Sequence, residues 1–291
     1  MTSQVMVARD SVRYREAMNT AALPTFGAQL REWRQRRRLS QLDLAGDADV
    51  STRHLSFVET GRAMPSREMV LRLADRLDVP LRERNRLLTA AGFAPMYAER
   101  RLDDPALKAA REAVELVLKG HEPFPALAID RHWSLVSYNR AVLPLLEGVA
   151  PALLEAPINV LRLSLHPQGL APRIVNLAQW RTHLLDRLRQ QVHISADPVL
   201  AALADELSSL AAPVDTSHER AHEKTHEKSH DTVDAGVVVP LVLRTPAGTM
   251  SFISTTTVFG TPIDITLSEL ALETFFPADA ATAALLRAAL A

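Results

Sequence analysis

From Phe26 to Ala91 the apolar residues recur at helical spacing in short pieces, whereas alternating, β-branched runs dominate the last third of the chain. Phe26, Leu30 and Trp33 fall at i, i+4 and i+7 and predict a first helix. Ser40-Gln41-Leu42-Asp43 reads as a capping box opening a second, because a Ser hydroxyl can take an orphan backbone N–H. A third helix is expected from near Ser51 to Gly61. Ser66 should cap a fourth, with Val70, Leu73, Ala74 and Leu77 on one face, and a fifth should run from about Arg82 to Gly92, with Pro95 behind it.

The second and third helices carry the most informative spacing. Two helices crossing steeply over a short turn need apolar side chains at fixed offsets and a small residue at the crossing. Leu44, Ala48, Val50, Leu55 and Val58 supply the apolar set and Ala45 the small residue, which is a helix-turn-helix pattern. In that geometry the third helix enters the DNA major groove N-terminus first. Ser51, Thr52, Arg53, Ser56 and Phe57, with His54 nearby, are then the candidate contacts. Arg53 suits guanine O6/N7, and Phe57 or the Thr52 methyl suits a thymine methyl. Gln41, Arg62 and the helix start at Ser66 are placed for phosphates. Residues 26–80, from FGAQLREW through SQLDLAGDADVSTRHLSFVETGRAMPS to LRLADRLDVP, resemble the Xre/Cro-type repressor domain. The resemblance implies a five-helix, lambda-repressor-like DNA reader over 24–92. The turn carries Asp49 where that family usually has Gly, and Asp tolerates the left-handed conformation at modest cost.

Beyond Gly92 the pattern changes. Residues 1–23 read as an arm without clear periodicity and 93–104 as a linker. Leu107, Ala110, Val114, Val117 and Leu118 mark an amphipathic helix. PFPALAIDRHWSLVSYN predicts two short strands about a DRHW turn, with a helix capped by Asn139 to follow. Ile174, Leu177, Ala178, Leu185 and Leu188 define another helix. Asp197 should cap the next, with Pro198 in its first turn and Leu200, Leu203, Leu207 and Leu210 on its face. VVVPLVLR and TMSFISTTTVFG, separated by TPAG, are strands, and Pro240 makes the first an edge strand or starts it after the proline. The layout is α+β, with helices against one antiparallel sheet.

Charge changes the picture. The net charge is −1, yet residues 24–92 hold 13 Arg, no Lys and 9 acidic residues, leaving that segment at +4 and the remainder at −5. An Arg-rich small segment fits a polyanionic partner. There are no cysteines, which excludes disulfides and thiolate metal sites. The absence of a signal-peptide layout and of long apolar runs predicts a cytoplasmic protein without a membrane partner.

The stretches NVLRLSLHPQGLAPRIVNLAQWRTHLLDRLRQ and STTTVFGTPIDITLSELALETFFPADAAT resemble the ligand-binding domain of MmyB-like transcription regulators, over roughly 105–290. The resemblance implies a PAS-like domain over 105–291 and a regulator governed by a small, largely apolar ligand such as a fatty acid. It also implies no enzymatic activity and no cofactor. A homodimer on a palindromic operator is expected, since such readers use paired half-sites. Arg173, Asn176, Trp180 and His183, at i, i+3, i+7 and i+10, form a polar-aromatic stripe suited to a carboxylate-headed lipid. The competing reading has Trp180 in the core and Arg173 paired with an acid or with helix-end carbonyls.

One motif points elsewhere. HERAHEKTHEKSH, residues 218–230, contains H-E-x-x-H three times, with His218, His222, His226 and His230 four apart. A catalytic zinc needs a third protein ligand and an apolar scaffold. The interleaved Arg220, Ala221, Lys224, Thr225, Lys228 and Ser229 offer no packing face, so the segment reads as a low-complexity insertion at about 213–235, with no catalytic or metal site.

Overall fold

The computed structural model describes residues 24–210 and 238–290. The expected arm and the His-rich insertion lie outside the described residues. The chain divides into two compact units between Ala98 and Glu99.

The first unit is all helical: α1 (Phe26–Arg36), α2 (Gln41–Asp47), α3 (Thr52–Glu59), α4 (Arg67–Arg76) and α5 (Leu81–Ala90). Ser40 and Asp43 close the capping box on α2, and Ser51 and Ser66 cap α3 and α4 through their hydroxyls. The exits share one device. Arg38, Asp49, Gly61, Asp78 and Gly92 all have positive φ. The next residue then bonds five back, as in Val50 N to Ala45 O at 2.9 Å and Val79 N to Ala74 O at 2.9 Å. These are Schellman closures, in which a left-handed residue lets the chain satisfy carbonyls at the helix end. Only two of the five positions are glycine, so the local closing bonds hold three ordinary side chains in a conformation that L residues seldom adopt. Asp49, at φ 53°, takes the left-handed conformation that the sequence required of it. Leu30, Leu44, Leu55, Leu73 and Leu88 meet in the core with no exposed surface.

The two parts of residues 93–104 are each held within their own unit. The Asn85 amide binds the backbone of Met96 and Tyr97 at 2.7–3.0 Å. In the second unit, Arg100 bonds Asp264 at 2.9 Å and Arg111 bonds the Leu102 carbonyl at 2.9 Å.

The second unit is α+β. Strands β1 (Ala126–Ile129), β2 (Leu135–Tyr138), β3 (Leu241–Thr245), β4 (Gly248–Val258) and β5 (Ala271–Pro277) form an antiparallel sheet in the order β2-β1-β5-β4-β3. α6 (Lys108–Gly120) covers one face, with Val114 and Leu118 against Ala126, Ala128 and Leu272. The other face carries a larger core built from α7 (Val160–Leu165), α8 (Leu177–Ser195) and α9 (Pro198–Ser209). α10 (Ile265–Ser268) precedes β5, and α11 (Ala280–Leu290) packs on β4. β3 is both an edge strand and begins after Pro240. No helix among the described residues is long and apolar enough to cross a membrane.

Several local expectations change. Asn139 stands at the N-cap of a short 3-10 helix, but its side chain makes no capping bond. Its buried side chain accepts from Ala126 N and donates to the Leu118 and Phe124 carbonyls at 2.8–3.1 Å, while a 3-10 stretch with Pro144 inside follows it. Ile174 precedes α8 and bridges to Leu243, and Ala178 is exposed, so the buried face of α8 is Trp180, Leu184, Leu185 and Leu188. β5, not singled out as a strand in the sequence, is the middle of the sheet.

Candidate functional site

In the first unit α3 presents its N-terminal half outward. Arg53, His54 and Arg62 are exposed, while Thr52, Ser56 and Phe57 are half-buried. The Arg53 guanidinium lies over the Phe57 ring at 5.4 Å, one turn apart, so the ring stiffens the cation without masking its edge. The Ser51 and Ser66 hydroxyls accept from His54 N and Met69 N, both at 3.2 Å, and are committed to the helix starts.

What fixes α3 is a buried charge cluster. Arg34 on α1 grips Glu59 through both carboxylate oxygens, at 2.7 and 2.9 Å, and its remaining amine reaches the Leu39 carbonyl at 2.8 Å. Gln41 on α2 donates to the same carboxylate at 2.8 Å, and Arg31 stands 3.5 Å away. Burial pushes the Glu59 carboxyl up, but bonds from Arg34 and Gln41 and the charges of Arg34 and Arg31 outweigh it and hold the group below the usual carboxylate range. Gly27 completes the fit: a Cβ there would stand 2.5 Å from the Glu59 carbonyl oxygen, so only glycine lets α1 approach α3 this closely. Gln41, expected at a phosphate, therefore spends an amide hydrogen on Glu59. Sequence reading missed Arg34, Glu59 and Gly27. A signal existed: Arg34 and Glu59 each sit four residues after a core leucine, Leu30 and Leu55, on the buried stripe.

The second unit encloses a cavity of about 100 Å³ between the sheet and α7–α8. Its wall is almost wholly apolar, with Leu127, Leu161, Leu163, Trp180, Leu243 and Phe275 among the lining residues. The polar exceptions are Ser164, Ser254, Arg187 and Glu273. Trp180 donates its indole N–H to Ser164 at 3.0 Å, which leaves the ring as an apolar wall. Arg187 on α8 pairs with the buried Glu273 of β5, donates to Thr256 at 2.7 Å and stacks on Trp133 at 4.6 Å. Arg187 also borders an open groove shared with Gln179, His183 and Asp186, so this ion pair stands between the cavity and solvent.

Of the four residues in the expected stripe, only Trp180 lines the cavity. Arg173 lies in a 3-10 turn before α8 and donates to the Leu145 carbonyl at the end of another short helix; burial lowers its pKa. Asn176 clamps the edge strand, donating to Pro240 O at 2.8 Å and accepting from Val242 N at 3.1 Å. His183 stacks on Trp180 and faces the groove. Burial first, then the Arg187 charge, lowers its pKa below the ordinary histidine value. Carried on from Trp180 at i+4, i+7 and i+11, the same face holds Leu184, Arg187 and Gln191. The described residues contain no cluster of three or more metal-ligating side chains, and the four histidines of the insertion lie outside them.

Residues 110–289 match the family model for the MmyB-like transcription regulator ligand binding domain, and residues 25–87 match a helix-turn-helix domain. No curated protein matches the chain.

Proposed function

The chain belongs to the MmyB-like transcription regulators, DNA-binding proteins that carry a ligand-binding domain, and we propose that it is an Xre-type regulator whose PAS-like second unit senses a fatty acid or similar small apolar molecule. It acts without catalysis or cofactor, in the cytoplasm, as a homodimer on a palindromic double-stranded operator. Arg53 and Phe57 read base edges, with Thr52, His54 and Ser56 beside them, while Arg62 and the backbone amides at the starts of α3 and α4 hold phosphates.

The observation that carries the ligand reading is an apolar cavity ending at a single guanidinium, Arg187. A hydrocarbon tail gains by leaving water for such walls, and a carboxylate head would share Arg187 with Glu273. At about 100 Å³ the cavity is below the roughly 300 Å³ of ordinary ligand sites, so a long chain must push the walls apart. That makes binding a source of conformational work on α8.

The test is a melting series of the full chain with fatty acids and matching fatty alcohols. A ligand at a hundredfold excess over Kd should raise Tm by roughly 5–10 °C. Arg187→Ala should erase the preference for acids over alcohols. No shift with any chain length would leave the second unit to dimerisation or partner recruitment instead.

A further inference from the structure

We propose that the outer face of α6 pairs with α6 of a second copy of this chain, antiparallel, about a two-fold axis passing between residues 114 and 115. This rests on the dimeric part of the reading above, and on neither the DNA face nor the cavity.

α6 is apolar on two opposite sides. Val114 and Leu118 are buried against the sheet side. Half a helical turn away, Ala109, Ala113, Leu116 and Gly120 fall at i, i+4, i+7 and i+11, and all four are exposed. Leu116 is 73% exposed and its neighbour Val117 47%. A lone surface leucine means little. A seam with four-three-four spacing is the pattern by which one helix packs along another.

The seam is its own complement only in reverse. Turned about the axis, Ala113 meets the partner's Leu116 and Ala109 meets the partner's Gly120, so each larger group faces a small one and the axes can approach to about 8 Å. Glu112 and Lys119 lie on one flank of the seam, two turns apart. In the reversed pair Glu112 falls about 3 Å along the axis from the partner's Lys119, and the contact occurs twice. A parallel pair would instead carry the two Glu112–Lys119 flanks to opposite sides of the seam, where neither contact can form. In the single chain Glu112 makes only an exposed 3.7 Å contact with Lys108, which is cheaply exchanged. Charge order and side-chain size thus select the same partner and the same direction.

The experiment uses the full chain in sedimentation runs over a range of concentrations. Leu116→Lys should weaken self-association by at least about tenfold, with an unchanged far-UV spectrum because the residue is exposed. Glu112→Lys and Lys119→Glu should each weaken it, and the double variant should restore it. The chain has no cysteine, so orientation can be read directly. Under mild oxidation, a mixture of Ala109→Cys and Gly120→Cys chains should cross-link with each other, and neither alone. A dimer that survives every α6 variant would keep the dimeric reading but remove this interface. A chain that stays monomeric at all concentrations would remove both. Cross-linking of either single variant with itself would overturn the antiparallel direction.

Discussion

The two units each bury one arginine–glutamate pair, and the pairs do different work. Arg34–Glu59 sits where three helices cross, with the carboxylate's oxygens taken up by Arg34 and Gln41 and the Glu59 side chain fully buried. Arg187–Glu273 sits at the rim of an apolar cavity, with the Arg187 side chain 28% exposed and an open groove on its far side. The chemistry is the same. What surrounds the first pair makes it a clamp, whereas the void beside the second leaves its cation available to something that enters.

The largest expected effect separates the two directly. Glu59→Ala strands a buried guanidinium and should cost about 3–5 kcal/mol by denaturant unfolding of the first unit. The pH dependence should agree: the depressed Glu59 pKa contributes stability above the usual carboxylate range, lost as pH falls through that range toward the folded-state value. Glu59→Gln should flatten that acid limb. Glu273→Ala should cost less, about 1–3 kcal/mol, because Arg187 keeps solvent, Thr256 and the Trp133 ring. Equal losses in the two variants would break the comparison.

The exposed arginines sharpen it from the other side, since they should matter to DNA and little to stability. Arg53→Ala should lose about 1–3 kcal/mol of discrimination between operator and random duplex in competition binding. Unchanged discrimination would mean that α3 is set in a different register on the groove. Arg62→Ala, the smallest effect, should weaken all duplexes alike and lower the salt slope by about one.

Much of the first unit was legible because its signals are local. Helix starts at Ser40, Ser51 and Ser66, the left-handed turn at Asp49 and the leucine stripes all depend on residues within a few positions of one another. The second unit was legible in outline, through its helices and the β3–β4 hairpin, and its polar residues were assigned less well. Asn139 looked like a cap because asparagine favours caps, yet three backbone groups, from β1, α6 and the loop between them, converge on its side chain. Arg173 and Asn176 looked like pocket residues because they precede Trp180 at helical spacing, but the helix starts only at Leu177.

By itself, the sequence determined the two-unit order, the five helices, the capped third helix and the mixed α+β character of the remainder. These follow from periodicity and from backbone groups that must be satisfied nearby. Only the tertiary structure decided which polar side chains meet: Arg34 with Glu59 across 25 residues, and Arg187 with Glu273 across 86. A charge on an apolar stripe has to find a partner, and periodicity reveals the stripe. The partner lies on another element, whose distance along the chain has no bearing on its distance in space.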